Sequence, residues 1–203
     1  SWDAFRFEVH AHRWVYISEP GFGVAIANSG TYGWNVSRHP KDNGGTWSMA
    51  RASLLKGARY PDPRADEGEH DFFHTLHVGA DLTDAVRDGY AANLCVRRRQ
   101  GSPVDPLVSV EGIAVEAVKL AEDGSGDVIV RLYEPYGRHV HTTMTVGFGA
   151  TSAVESDLLE EPLEGNPHAQ VGPSVITADL ADDTIGLSMR PFQVATLRLG
   201  RNR

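Results

Sequence analysis

Cysteine occurs once in the 203 residues, as Cys95. No internal disulfide can form, and a lone thiol suits a reducing compartment, so a cytoplasmic location is expected. Its neighbours Leu94 and Val96 predict a small buried thiol rather than a nucleophile, which needs an electropositive and accessible setting. Long apolar runs are missing too. Nothing approaches the roughly 18 residues that cross a bilayer as a helix, and the opening Ser1-Trp2-Asp3-Ala4-Phe5 has neither a basic n-region nor an apolar h-region. The expectation is a soluble piece with no membrane partner. The first residue is not Met and a strand-like Phe5–His10 follows at once, which reads as an excised fragment.

Positive charge is scarce: 19 Lys and Arg face 27 Asp and Glu, for a net charge of −8. Phosphate affinity comes from clustered cations, so no nucleic-acid partner is expected. The dense basic run Arg97-Arg98-Arg99 reads as a solvated loop or an interdomain contact. The chain also lacks a Gly-rich phosphate loop, a Gly-x-Ser-x-Gly elbow, a Cys-x-x-Cys pair and His-Glu-x-x-His, and the enzyme classes built on them can be set aside.

What is present is ordinary globular composition, 41% hydrophobic and 23% charged. Short β-branched and aromatic segments recur between turn signals: Trp14–Ile17, Val24–Ala27, Tyr32–Val36 and Trp47–Leu55, separated by Glu19-Pro20-Gly21, Asn28-Ser29-Gly30 and Asn43-Gly44-Gly45. This is a β-meander. A helix is predicted over Leu82–Asn93, with Thr83 or Asp84 as cap. Pro and Gly then interrupt both ladders and helices at Gln100–Pro106, which places a domain boundary there, with residues 1–103 on one side and 104–203 on the other.

Beyond it, Ile113–Leu120, Val128–Glu134, His139–Val146, Ser174–Ala178, Ile185–Met189 and Val194–Leu199 predict a small β-sandwich. Alternation in Val128–Tyr133 puts Val128, Val130 and Leu132 on its core face, with Ile129, Arg131 and Tyr133 opposite. The acidic patch Glu155–Glu164 reads as a solvated loop. The fold class expected is all-β, the closing part of a large antiparallel sandwich followed by a small one.

Nine histidines invite a metal site. Either His10/His12 or His139/His141 would share a strand face, but neither pair brings a full ligand set. The series His70, His74, His77 lies among Phe72, Phe73, Thr75 and Val78, so a strand is preferred, with His70 and His74 on one face and His77 on the other. Structural histidines are the stronger reading. The segment Tyr60–His70 is different: two prolines stiffen a loop that concentrates four carboxylates, and a stiff acidic loop can hydrogen-bond sugar hydroxyls. On residue types alone, a rigid surface or interdomain loop remains the better account.

Three segments carry a resemblance: Ile17-Ser18-Glu19-Pro20-Gly21-Phe22-Gly23-Val24-Ala25, running on through Asn28 and Tyr32-Gly33; Ser53-Leu54-Leu55 leading to Tyr60-Pro61-Asp62-Pro63 and Ala65–His70; and Ala117-Val118-Lys119 with Val130-Arg131-Leu132-Tyr133-Glu134. The closing Pro191–Leu199 is similar as well. In order and spacing these resemble the C-terminal region of family 38 glycoside hydrolases, bacterial-type α-mannosidases. The resemblance implies retaining exo-hydrolysis of α-mannosides, with an aspartate nucleophile and a zinc ion in an N-terminal catalytic domain. Neither the nucleophile nor the zinc ligands have a counterpart motif here, so no catalytic residue and no cofactor is assigned to this chain, and alone it is expected to be inactive.

The partners implied are that catalytic domain and the α-mannoside, with a second copy of the chain also admitted. If residues here touch sugar, the resemblance points to Asp62, Asp66, Glu69 and His70, joined by Glu19 and Arg51, in a positioning role. Lys56-Gly57 departs from the family pattern, which has Arg and a small residue there, and removes any contact made by that guanidinium. Two other readings compete: a free-standing carbohydrate-binding sandwich using Trp14, Trp34 or Trp47 as platforms, and a structural assembly domain with a bare apolar surface.

Overall fold

The computed structural model describes residues 7–98, 100–102, 104–167 and 172–201. Phe5 and Arg6 of the expected first strand, Arg99 of the basic run and Pro103 at the expected boundary lie outside them. The chain divides into two compact units, residues 1–99 and 100–203. Strand accounts for 47% of the structure. Among the described residues there are fourteen strands and one helix, and the strands pair antiparallel.

The first unit holds two three-stranded sheets. One joins β1 (Val9–His10), β4 (Gly33–Pro40) and β5 (Thr46–Ser53) in that order; the other joins β2 (Trp14–Glu19), β3 (Phe22–Ser29) and β6 (Phe73–Val78). The helix α1 spans Leu82–Asn93, the range expected, but its cap is Asp81. The Asp81 side chain accepts from the backbone N–H of Asp84 at 2.8 Å while the Asp84 carboxylate accepts from the Asp81 N–H at 3.1 Å, a reciprocal box that satisfies two orphan donors.

Small residues let α1 lie close on one face of β2-β3-β6. Ala25 packs with Ala80 and Ala85, flanked by Trp14 and Tyr16. Gly23 leaves room for the Tyr16 hydroxyl and the Ala80 carbonyl, which would overlap a Cβ placed there. The opposite face carries Val15, Ile17, Val24 and Ile26, in register with each other and with Leu76 and Val78 of β6. Val15, Ile17, Val24 and Ile26 are half-buried, whereas Leu76 and Val78 stand 66% and 63% exposed, so only the β6 edge of this apolar face is bare.

The second unit is a sandwich of two four-stranded sheets. The first runs β12 (Ile176–Ala181), β13 (Thr184–Met189), β10 (Val140–Val146), β7 (Val108–Val110). The second runs β11 (Ala150–Ser156), β14 (Val194–Arg201), β9 (Val128–Tyr133), β8 (Ala114–Leu120). Period-two alternation fills the space between them with Met144, Val146, Ile185, Leu187 and Met189 from one sheet and Val128, Val130, Leu132, Leu197 and Leu199 from the other.

Strand β11 covers residues that include part of the acidic patch expected to be solvated. That expectation is corrected: Glu160 is 5% exposed, and its carboxylate takes the Lys119 ammonium at 2.6 Å and the Glu122 N–H at 2.8 Å. The reason lies in the outer face of the second sheet. There Lys119, Ile129 and Arg198 are paired across β8, β9 and β14, with Arg131 in the next row. Acidic loops fold over these cations, and Ile129 is buried although it faces away from the main core.

Candidate functional site

The stiff acidic segment forms the connection between β5 and β6. Gly57 leaves β5 at φ +61, a left-handed conformation open to glycine, and donates its N–H to Asp66 Oδ2 at 2.6 Å. Asp62 Oδ1 accepts from the Arg64 N–H at 2.9 Å, an Asx turn directly after the cis Tyr60–Pro61 peptide. Arg64 then pairs with Glu67 at 2.9 Å. The His70 ring meets the Asp66 carbonyl at 3.2 Å and stacks on Phe72.

Of the six residues singled out from sequence, Asp66 and His70 are brought together by the loop's own hydrogen bonds. Asp62 gives Oδ1 to its turn. Glu69 is exposed and has no hydrogen-bond partner among the described residues. Arg51 lies on β5, where its guanidinium donates to Asn35 Oδ1 at 2.8 and 3.3 Å. Glu19 is on the other sheet, at the end of β2, where it lines a depression of mixed polarity with Ile17, Phe22, Val24, Ile26, Arg38 and Trp47. The six therefore do not form one constellation. The loop is held in shape by its own hydrogen bonds, with Glu69 and Asp71 as exposed carboxylates that take no part in them.

The histidines scatter. His70 falls outside β6, so it shares no strand face with His74. His74 meets Trp34 edge-on at 6.1 Å, and His77 bonds Asp88 of α1 at 2.7 Å. His10 and His12 flank the Tyr32 ring. Among the described residues no three His, Cys, Asp or Glu side chains group as metal ligands, so the zinc implied by the resemblance finds no fitting donor set in them. Cys95 is exposed rather than buried, because the chain leaves α1 one residue earlier and the strand-like flanks Leu94 and Val96 stand exposed.

The tryptophans also divide. Trp34 is buried, Trp14 packs toward α1, and Trp47 is 44% exposed with its ring stacked on His39 at 4.6 Å.

Sequence reasoning missed the carboxylates that do the most structural bonding. Glu134 is fully buried and accepts from the backbone N–H groups of Tyr136, Gly137, Arg138 and Phe192 at 2.8 to 3.2 Å. Its one signal is its place directly before Pro135-Tyr136-Gly137, where a turn exposes N–H groups that need an acceptor. Glu155 similarly holds Ser174 and the Val175 and Ile176 N–H groups. Asp123 is pulled down to about 2, chiefly by the Ser125 N–H and hydroxyl and then by Arg198, whose guanidinium reaches it at 2.6 Å. Glu160 is held below the usual carboxylate range first by Lys119 and then by the Glu122 N–H.

Residues 112–197 match the glycosyl hydrolases family 38 C-terminal beta sandwich domain, and residues 1–64 match the glycosyl hydrolases family 38 C-terminal domain. Alpha-mannosidase 2C1 of Homo sapiens is 33% identical over 98% of this chain, and Alpha-mannosidase of Saccharomyces cerevisiae is 26% identical over 98%. The chain spans only 18% and 19% of their respective lengths. A solved protein in the glycosyl hydrolase family 38 from Enterococcus faecalis superposes with a TM-score of 0.58 at 19% identity, covering 94% of this chain and 22% of that one, a likeness of fold.

Proposed function

Because this chain belongs to the C-terminal β domains of glycosyl hydrolase family 38, we propose that it is the non-catalytic C-terminal region of an α-mannosidase and packs on a catalytic portion encoded elsewhere in a longer polypeptide. The observation that carries this reading is the exposed apolar β6 edge of the otherwise half-buried β2-β3-β6 face. Val24 and Ile26 of that face meet Leu76 and Val78 in register, and both of these β6 side chains are mostly exposed. Fully burying an apolar side chain of this kind contributes about 1.5 to 3 kcal/mol, so covering Leu76 and Val78 supplies a drive to dock. The relatives are more than five times longer than this chain, which spans 18% of their length, and that length supports the reading of a covering portion elsewhere.

In this reading α-mannosides are hydrolysed, and zinc is held, by residues outside the chain, in a cytoplasmic enzyme. The Gly57–Phe72 loop is placed at the rim of the substrate cleft, where Glu69, Asp66 and His70 position sugar hydroxyls. The test is turnover of a chromogenic α-mannoside by this chain, by the remaining polypeptide, and by the two mixed. Activity in the mixture alone is expected; turnover by this chain alone sinks the reading. Within the full enzyme, Glu69→Ala is expected to raise KM severalfold, and unchanged KM and kcat remove the loop from the cleft.

Trp47 keeps a second reading open, a carbohydrate-binding surface. The depression it lines mixes Ile17, Val24 and Ile26 with the polar Ser18, Glu19, Arg38, Thr46 and Ser48, so polar groups stand beside the ring as a sugar platform needs. Titration of mannose oligomers against Trp47 fluorescence separates the two: a saturable change in this isolated chain favours the platform.

A further inference from the structure

The turn after β11 is built to a degree that its exposed residues do not explain. Asp157 Oδ1 accepts from the N–H groups of Leu159 and Glu161 at 2.8 and 3.0 Å, and the Asp157 N–H returns to the Glu161 carbonyl at 2.9 Å. Glu160 sits at φ +73, a conformation rare for a side chain with a Cβ, and is held there by its buried bonds to Lys119 and Glu122. Arg131 clamps the Leu158 carbonyl at 2.8 Å. What this rack holds outward is a pair of adjacent leucines, Leu158 at 64% and Leu159 at 82% exposure.

A single exposed leucine needs no explanation, but two neighbours on a fixed turn are pre-organised for contact, with little conformational entropy left to lose. The surrounding charge points the same way. Lys119, Arg131 and Arg198 are turned inward and largely covered, whereas Glu122, Asp123 and Glu161 face solvent. The rim around the leucines is therefore acidic. A second copy of this chain, at net charge −8, is a poor match for such a rim.

We propose that Leu158 and Leu159 form a docking knob that seats in an apolar pocket with a cationic rim, located in the remainder of the same longer polypeptide. The proposal rests on the reading of this chain as one region of a larger protein, and adds a contact made by its second unit. Tethering favours such an intramolecular partner, because effective concentrations within one chain reach the millimolar range.

The test places a thiol on the knob, Leu159→Cys in a Cys95→Ser background, and follows its maleimide labelling by peptide mass in this 203-residue chain and in the full-length protein. Labelling at least about tenfold slower in the full-length protein, independent of protein concentration and faster as NaCl is raised, is expected. Equal rates in the two proteins overturn the docking. Protection that vanishes on dilution assigns the knob to a second copy instead, and protection indifferent to salt removes the cationic rim. Leu158→Cys repeats the measurement at the neighbouring position. Turnover of an α-mannoside by the same full-length sample judges the enzyme reading separately, since labelling reports coverage whether or not the protein hydrolyses anything.

Discussion

Glu134 accepts a hydrogen bond at 3.1 Å from the backbone N–H of Phe192, a residue 58 positions later that sits at φ +58. The same carboxylate holds three N–H groups of the turn after β9, so one buried side chain ties the β9–β10 and β13–β14 connections together. Glu134→Ala leaves these half-buried donors without their acceptor, and a loss of about 1 to 3 kcal/mol is expected from urea unfolding of the chain. Glu134→Gln keeps the shape but puts a donor where an acceptor is required, and should fall between the two. An alanine variant within about 0.5 kcal/mol of the parent contradicts this account.

Gly89 lies inside α1, where alanine would ordinarily stabilise by up to about 1 kcal/mol. Here a Cβ would come within 2.6 Å of the Trp14 indole, itself part of the packing against Ala25 and Ala85. Gly89→Ala is therefore expected to lower stability by about 1 to 3 kcal/mol. A gain in melting temperature would show that Trp14 yields freely.

Asp123 makes a pH prediction. Folding lowers its carboxyl from the ordinary 3.8 to about 2, so the unfolded chain binds that proton more readily than the folded one. Its contribution is complete above 3.8, fades as pH falls toward about 2, and is gone below that. Glu160, also lowered, acts in the same direction. The melting-temperature gap between the parent and Asp123→Asn is expected to be present near neutrality and to close on acidification through this window. A gap that stays constant would mean that the carboxylate charge is irrelevant to the turn.

Leu76→Ser with Val78→Ser tests the exposed β6 edge of the β2-β3-β6 face. In the isolated chain both side chains are mostly in water, so stability should change by less than about 0.5 kcal/mol while binding of a hydrophobic dye falls. In the longer polypeptide proposed for this chain, the same pair should lower the melting temperature. If the isolated chain unfolds instead, the face is covered from within.

Much of the fold was legible because it rests on local periodicity. The alternation in Val128–Tyr133 sorted core from outer face, and the range of α1 followed from its spacing and polar start. Its cap was displaced to Asp81, since Thr83 and Asp84 are equally good capping types and only the backbone decides among them. Strand β11 was hidden because Ala150–Ser156 is mostly small and polar, and its pairing with β14 is a contact distant in sequence.

The burial of Glu160 was illegible for the same reason: its partners Lys119 and Arg131 lie 41 and 29 positions away, and a run of acids reads as solvated until the cations beneath it are known. In the loop, sequence could see the stiffening prolines and the carboxylates. It could not see that Asp62 Oδ1 and Asp66 Oδ2 already accept the backbone N–H groups of Arg64 and Gly57, which leaves each of those residues one oxygen to offer and Glu69 both.

The loops of the second unit that cover Ile129 and the cation row behave as a third layer, and this divides the chain into places that will and will not accept inserted sequence. An affinity tag, a fluorophore-binding peptide or a split-protein junction placed between Asp157 and Glu161 would lift Glu160 off Lys119 and expose the layer beneath. The β4–β5 hairpin tip offers the opposite: Gly44 and Gly45 have open space where a side chain would go, and the turn is closed by bonds between Lys41, Gly44 and Gly45 alone. A reporter grafted there leaves every buried carboxylate with its partners.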